Sequence, residues 1–191
     1  MKNTFRLFLV PALTLCLNAA DESRFDYRVL ATSKTSTMEK EMNEAAGAGF
    51  SFASAMGGES ALGSKEVIVV MAKDYMAPAA HKRYKLLATS KTSTMQKELQ
   101  AAGAEGFDYR GQTVFESAFG GQEVCVILEL DPESGAGRID YRLLATTKTS
   151  TMQKELQQSG DDGFKLMGVL VGKTAFGGKE VISLLKRVPK Q

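Results

Sequence analysis

Few side chains in this chain have the types and spacing to do chemistry. There is one histidine, His81, and there are two cysteines, Cys16 and Cys125. Three short runs join a lysine to hydroxyls: Lys34, Thr35, Ser36 and Thr37; Lys91, Thr92, Ser93 and Thr94; and Lys148, Thr149, Ser150 and Thr151. A cation beside hydroxyls at the start of a helix suits an anion, because free backbone amides and the helix dipole favour negative charge there. Helix capping, a tight turn or a protein-contact surface would use the same residues without any ligand.

Catalytic readings find less. His81 falls between repeated segments, without a nucleophile or second base at a telling spacing, and reads as a solvated linker residue. The run "SKTST" lacks the glycines that let backbone amides cradle a phosphate. Thr94 and Lys97 fall short of the Ser-x-x-Lys of penicillin-interacting enzymes. Asp161 and Asp162 read as a solvated helix end rather than a cation site. The sequence therefore assigns no catalytic residue, metal or cofactor, and points to a non-enzymatic binding or structural role with anion binding at the three lysine runs. The alternative is an envelope enzyme acting on a phosphorylated or carboxylated substrate at those loops.

What positions the lysine runs is a repeat. "LATSKTSTM" at 30–38 recurs at 87–95 and, as "LATTKTSTM", at 144–152. Tyr27, Tyr84 and Tyr141 are 57 residues apart (84 − 27 = 141 − 84 = 57), as are Phe50, Phe107 and Phe164, so one module occurs three times in register. The boundaries are 21–74 for repeat 1, 75–83 for a linker, 84–130 for repeat 2, 131–140 for a second linker, 141–187 for repeat 3 and 188–191 for a tail. Drift between copies is uneven: residues 86–99 match 143–156 at 13 of 14 positions, whereas 107–119 match 164–176 at five of 13.

Each copy predicts strand, helix, strand, strand. "YRVLATS" and its equivalents alternate as a strand does. Ser36 with Glu39, Ser93 with Gln96 and Ser150 with Gln153 have capping-box spacing. Met38, Met42 and Ala45, then Met95, Leu99 and Ala102, form a buried helical stripe. Gly49, Gly106 and Gly163 should end the helices in the left-handed conformation, the following Phe packing back. Glycine-bearing hairpins lead to a third strand that is apolar on both faces and so belongs at the sheet centre, antiparallel to the other two. Leu30, Leu87 and Leu144, placed opposite the tyrosine row on the face away from the helix, would be wet in an isolated sheet. The expected fold is α+β: three antiparallel three-stranded sheets packed together, as a pseudo-threefold cluster or a linear row.

Residues 1–20 place Lys2 and Arg6 before an apolar run, Leu7 to Leu17, closing on small residues, the pattern of a secretory signal peptide cleaved after Ala19 or Ala20. The run is shorter than the roughly 20 apolar residues that span a bilayer. A secreted or periplasmic protein is expected, with no transmembrane segment after cleavage. Without residues 1–20 the chain carries 24 − 2 = 22 Lys+Arg against 22 Asp+Glu, a balance that gives no support for a nucleic-acid partner and leaves an anionic ligand or a protein. Cys125 would then be the lone cysteine, in the apolar "EVCVILEL", and reads as a buried strand residue.

The stretch "DDGFKLMGV" followed by "EVISLLKR" resembles a widespread group of short bacterial domains of unknown function, in which a helix closes on Gly-Trp-Glu or a variant and the last strand ends in a basic pair. Phe164 stands here in place of Trp, and only the third copy ends in Lys186 and Arg187. The layout is also similar to that of dodecins and of small secreted stress-related domains, without an aromatic pair to stack a flavin. The resemblance implies a fold and no activity.

Overall fold

Alternating apolar residues, a 13-residue amphipathic segment and a glycine stop fold each copy the same way. The computed structural model describes residues 24–59, 65–78, 81–116, 122–135, 137–173 and 178–189. The expected signal peptide and the tips of the three hairpin turns lie outside the described residues. Repeat 1 consists of β1 (Phe25–Thr32), α1 (Thr35–Gly47), β2 (Ser51–Glu59) and β3 (Lys65–Asp74). Repeat 2 follows as β4 (Arg83–Thr89), α2 (Thr92–Ala104), β5 (Asp108–Glu116) and β6 (Gln122–Leu130). Repeat 3 is β7 (Asp140–Thr146), α3 (Thr149–Asp161), β8 (Lys165–Lys173) and β9 (Lys179–Arg187).

The three sheets are antiparallel with orders β1-β3-β2, β4-β6-β5 and β7-β9-β8, each with the third strand central as its two-sided apolar character predicts. The helices close as expected. Gly49, Gly106 and Gly163 take φ of 87°, 88° and 82°, and the amides of Phe50, Phe107 and Phe164 donate to the carbonyls of Ala45, Ala102 and Ser159 at 3.0, 3.0 and 2.9 Å.

Each sheet has a front, which carries its own helix, and a back. Leu30 pairs with Val69 and Leu87 with Val126, and these residues pack with Met38 and Met42, and with Met95 and Leu99, respectively. The Leu30, Leu87 and Leu144 row therefore lies on the front, beneath the helix, and not on the far face expected from sequence. Two-residue alternation fixes which residues share a face, but not which face the helix chooses. The tyrosine row takes the back.

That back face joins the repeats. Tyr84, Leu86, Cys125 and Ile127 on the back of sheet 2 complete the core begun by α1 and the front of sheet 1. Tyr141, Ile182 and Leu184 on the back of sheet 3 do the same for α2 and sheet 2. Packing thus runs from repeat 1 to 2 and from 2 to 3, with no extended contact between repeats 1 and 3 among the described residues, so the order is that of a row. A bulge near the start of each second strand brings Phe52, Tyr109 and Leu166 to the front. Phe52 lies over Gly111 of the next repeat, and Tyr109 over Gly168.

Gly103 in α2 marks the closest approach. Its carbonyl accepts from the Ile139 amide at 2.8 Å, and a Cβ there would fall 2.1 Å from the Ile139 oxygen. Ala substitution adds helix propensity, but it must push a backbone away. Gly103→Ala should destabilise the chain by about 1–3 kcal/mol, measured by urea unfolding, against the gain of about 1 kcal/mol expected at a free helical site.

Candidate functional site

The helix starts were the sequence-based candidates. Lys34, Lys91 and Lys148 occupy the N-cap positions with extended backbone, and their carbonyls accept the first helical bonds from Met38, Met95 and Met152 at 3.1, 3.0 and 3.0 Å. Their amides donate to Thr32, Thr89 and Thr146 Oγ1 at 3.2, 3.1 and 3.2 Å. The threonine two residues before each lysine thus builds the turn from strand to helix. Thr35, Thr92 and Thr149 open the helices, followed by Ser36, Thr37, Ser93, Thr94, Ser150 and Thr151 in the first turn.

The capping boxes do not form. The helices begin two residues before Ser36, Ser93 and Ser150 would allow, and no side-chain cap hydrogen bond is made at any of the three starts. First turns contain no acid, and the three lysines are exposed. Each run stays in its own repeat, since α1, α2 and α3 make no extended contact with one another. In repeat 2, Thr89 to Thr92 border a cleft of about 10 Å³ with Leu143 and Ile182 of repeat 3, room for at most about one water.

Glu39 and Gln96 do something else. Glu39 Oε2 accepts from the Leu86 amide at 2.8 Å, while Asn43, one turn on, donates to the Tyr84 carbonyl and accepts from the Tyr84 amide, both at 2.9 Å. Gln96 does both jobs at the next junction, accepting from the Leu143 amide at 2.6 Å and donating to the Tyr141 carbonyl at 3.0 Å. Helix side chains thereby satisfy the outer edge of the next repeat's first strand, which would otherwise bury unpaired backbone groups. Sequence reasoning noted these positions for their spacing and missed their partners, which are 41 to 47 residues away.

A second feature was missed. Glu129 is buried at the repeat 1–2 junction, where Oε2 accepts from the Tyr84 hydroxyl at 2.6 Å and Oε1 from Arg110 Nη2 and Nε at 2.6 and 3.0 Å. Lys82 Nζ lies 3.1 Å from the same oxygen. Tyr84 Oη in turn accepts from the Phe52 amide at 2.8 Å. The signal was a charge within an apolar strand run where the other repeats have Ala72 and Lys186. At the second junction the Tyr141 hydroxyl donates to the Phe107 carbonyl at 2.9 Å, and Lys186 pairs with Asp108 at 2.5 Å.

The remaining candidates are dispersed. His81 is exposed, bordering an open cleft of about 560 Å³ with Phe25, Phe52 and Tyr75. Cys125 is fully buried opposite Ala88, and burial, helped by Glu123, pushes its thiol up to about 12, so it stays protonated and inert. Asp162 pairs with Arg142 at 2.7 Å, and Gln157 donates to Asp161 at 3.1 Å. Among the described residues no three His, Cys, Asp or Glu side chains converge to hold a metal, and no helix is long and apolar enough to cross a membrane. Comparison with protein-family models, curated proteins and solved structures finds no match to this chain.

Two measurements check the junctions. Gln96→Ala leaves the Tyr141 carbonyl and Leu143 amide without their partner and should cost about 1–3 kcal/mol in urea unfolding, whereas exposed Lys91→Ala should stay within about 0.5 kcal/mol. Burial raises the Tyr84 and Tyr141 phenols above their ordinary 10.0, reinforced by the Glu129 hydrogen bond at Tyr84 and the Asp108 charge at Tyr141. A raised folded value means the phenols' stabilisation is complete below pH 10 and is lost as pH climbs beyond it. A Tyr84→Phe, Tyr141→Phe variant should melt below wild type at pH 8, with the gap narrowing above about pH 10.

Proposed function

We propose that this is an exported, non-enzymatic repeat protein whose role is structural or protein-binding. The observation that carries the reading is how the shared side chains are used. The tyrosines at the head of repeats 2 and 3 and the Glu39 and Gln96 position join neighbouring repeats, and the threonines before each lysine build turns. Export is supported by the charged and then apolar opening of the chain. The resemblance to short bacterial domains and to dodecins supports the layout and brings no activity with it.

A second reading keeps the helix starts as anion sites. What favours it is a lysine at every N-cap combined with a first turn that has neither a side-chain cap nor an acid.

One panel tests both. Phosphate, sulfated sugars and carboxylated sugars are run in thermal shift, and phosphate and carboxylate esters in turnover assays, on wild type and on a Lys34→Ala, Lys91→Ala, Lys148→Ala variant. The structural reading expects no turnover by either protein. Ester turnover that disappears in the variant overturns it in favour of an enzyme. A melting-temperature rise confined to wild type adds anion binding, since a ligand that prefers the folded state stabilises it.

A further inference from the structure

The row has two unfinished ends, and they are complementary. Within the chain, the front of each sheet with its helix receives the back of the next, and this happens twice with equivalent residues. At the third repeat the front receives nothing among the described residues. Leu166, Val169 and Val171 of β8, all front-facing, are exposed. Met152 and Leu156 of α3 are half-buried where Met95 and Leu99 of α2 are buried.

The other end is the back of sheet 1. Tyr27 is 64% exposed, whereas its equivalents Tyr84 and Tyr141 are each 3% exposed. Val29 is 65% exposed against 9% for Leu86. Ile68 and Val70 are half-buried where Cys125 and Ile127 are fully buried, and Met56 on the same face is exposed. No described helix lies along the outer edge of β1 as α1 lies along β4 and α2 along β7.

From these two ends the geometry points to a head-to-tail contact between two copies of this chain, with α3 and the front of sheet 3 in one copy receiving the back of sheet 1 in the other. This rests on the structural reading above and names the partner. The docking groups are already in place. Gln153 is exposed at the position of Gln96, ready to hold the outward backbone groups of Tyr27 and Val29 as Gln96 holds those of Tyr141 and Leu143. Gly160 occupies the position of Gly103, and nothing lies within 4 Å of the place its Cβ would take. At Gly103 that space is filled by Ile139, whose equivalent in repeat 1 is Phe25, itself exposed. The contact is heterologous, so it closes a two-chain ring of six repeats or extends as a longer series.

The test is sedimentation velocity of the purified full chain over a concentration series, with Val29→Asp and Val169→Asp as single variants and as an equimolar mixture. Both sites are exposed, so folding should survive, and far-UV circular dichroism melts check that it does. Wild type should reach at least twice the monomer mass as concentration rises, and each variant alone should stay monomeric. Mixing should restore dimer mass, because the intact front of Val29→Asp meets the intact back of Val169→Asp. Wild type that stays monomeric throughout overturns the proposal, as does a folded single variant that still associates. A mixture that remains monomeric, while wild type associates, shows that the intact front and the intact back do not meet and overturns it too. Any of these failures with no ester turnover leaves the structural reading standing, whereas turnover lost in the lysine variant removes that reading whatever the mass.

Discussion

One small sheet and one 13-residue helix cannot enclose a core. The front of each sheet is partly roofed by its own helix, and the remaining gap is closed by the back of the following sheet, which is why Cys125 and Ile127 of repeat 2 belong to the core of repeat 1. Everything else follows from that shortage. A module of this size buries too small a fraction of its surface to be stable alone, and stacking supplies the missing apolar contact. The third strand must then be apolar on both sides, since its front serves its own helix and its back serves the preceding repeat.

Stacking creates a polar problem that the helices solve. Bringing the edge of β4 or β7 against the preceding helix hides backbone amides and carbonyls from water, and each would be costly unpaired. The carboxylate of Glu39 and the carboxamides of Asn43 and Gln96 meet those groups directly. At the first junction the buried Glu129 side chain is paired with Arg110 and Lys82, while the tyrosine hydroxyl ties it to the start of β2. The second junction replaces this with Lys186 and Asp108, so the two joints share a plan and differ in their charges.

The fold was legible in the sequence because its signals are local. Helix periodicity, the glycine stops and the two-sided third strand each depend on residues a few positions apart, and the register of 57 repeats each signal three times. The junctions were not legible for the opposite reason. Glu39 looked like the second half of a capping box, and nothing within four residues distinguishes a side chain that reaches back to its own helix from one that reaches the Leu86 amide. The tyrosine and leucine rows were separated correctly by alternation, but their assignment to front or back depends on where the helix lies, which is tertiary information. Thr89 is a different case, since its hydroxyl accepts from the Lys91 amide only two residues on and shapes the turn before α2.

The uneven drift between copies now has a physical cause. Residues 86–99 and 143–156 build one strand, one turn and the first half of one helix, and in repeats 2 and 3 alike the back of the strand packs on the preceding repeat while the threonine hydroxyl and the lysine carbonyl shape the turn into the helix. The second strands face different neighbours. Phe52 needs a glycine at 111, Tyr109 and Gln112 need one at 168, and that glycine is among the few positions 107–119 and 164–176 still share. Around it, β5 and β8 diverge because each faces a different surface: β5 lies between repeats 1 and 3, whereas β8 meets another repeat only on its back. Change concentrates where the contact surface differs from copy to copy, and the retained polar stretch is the part of the module whose geometric task stays constant along the row.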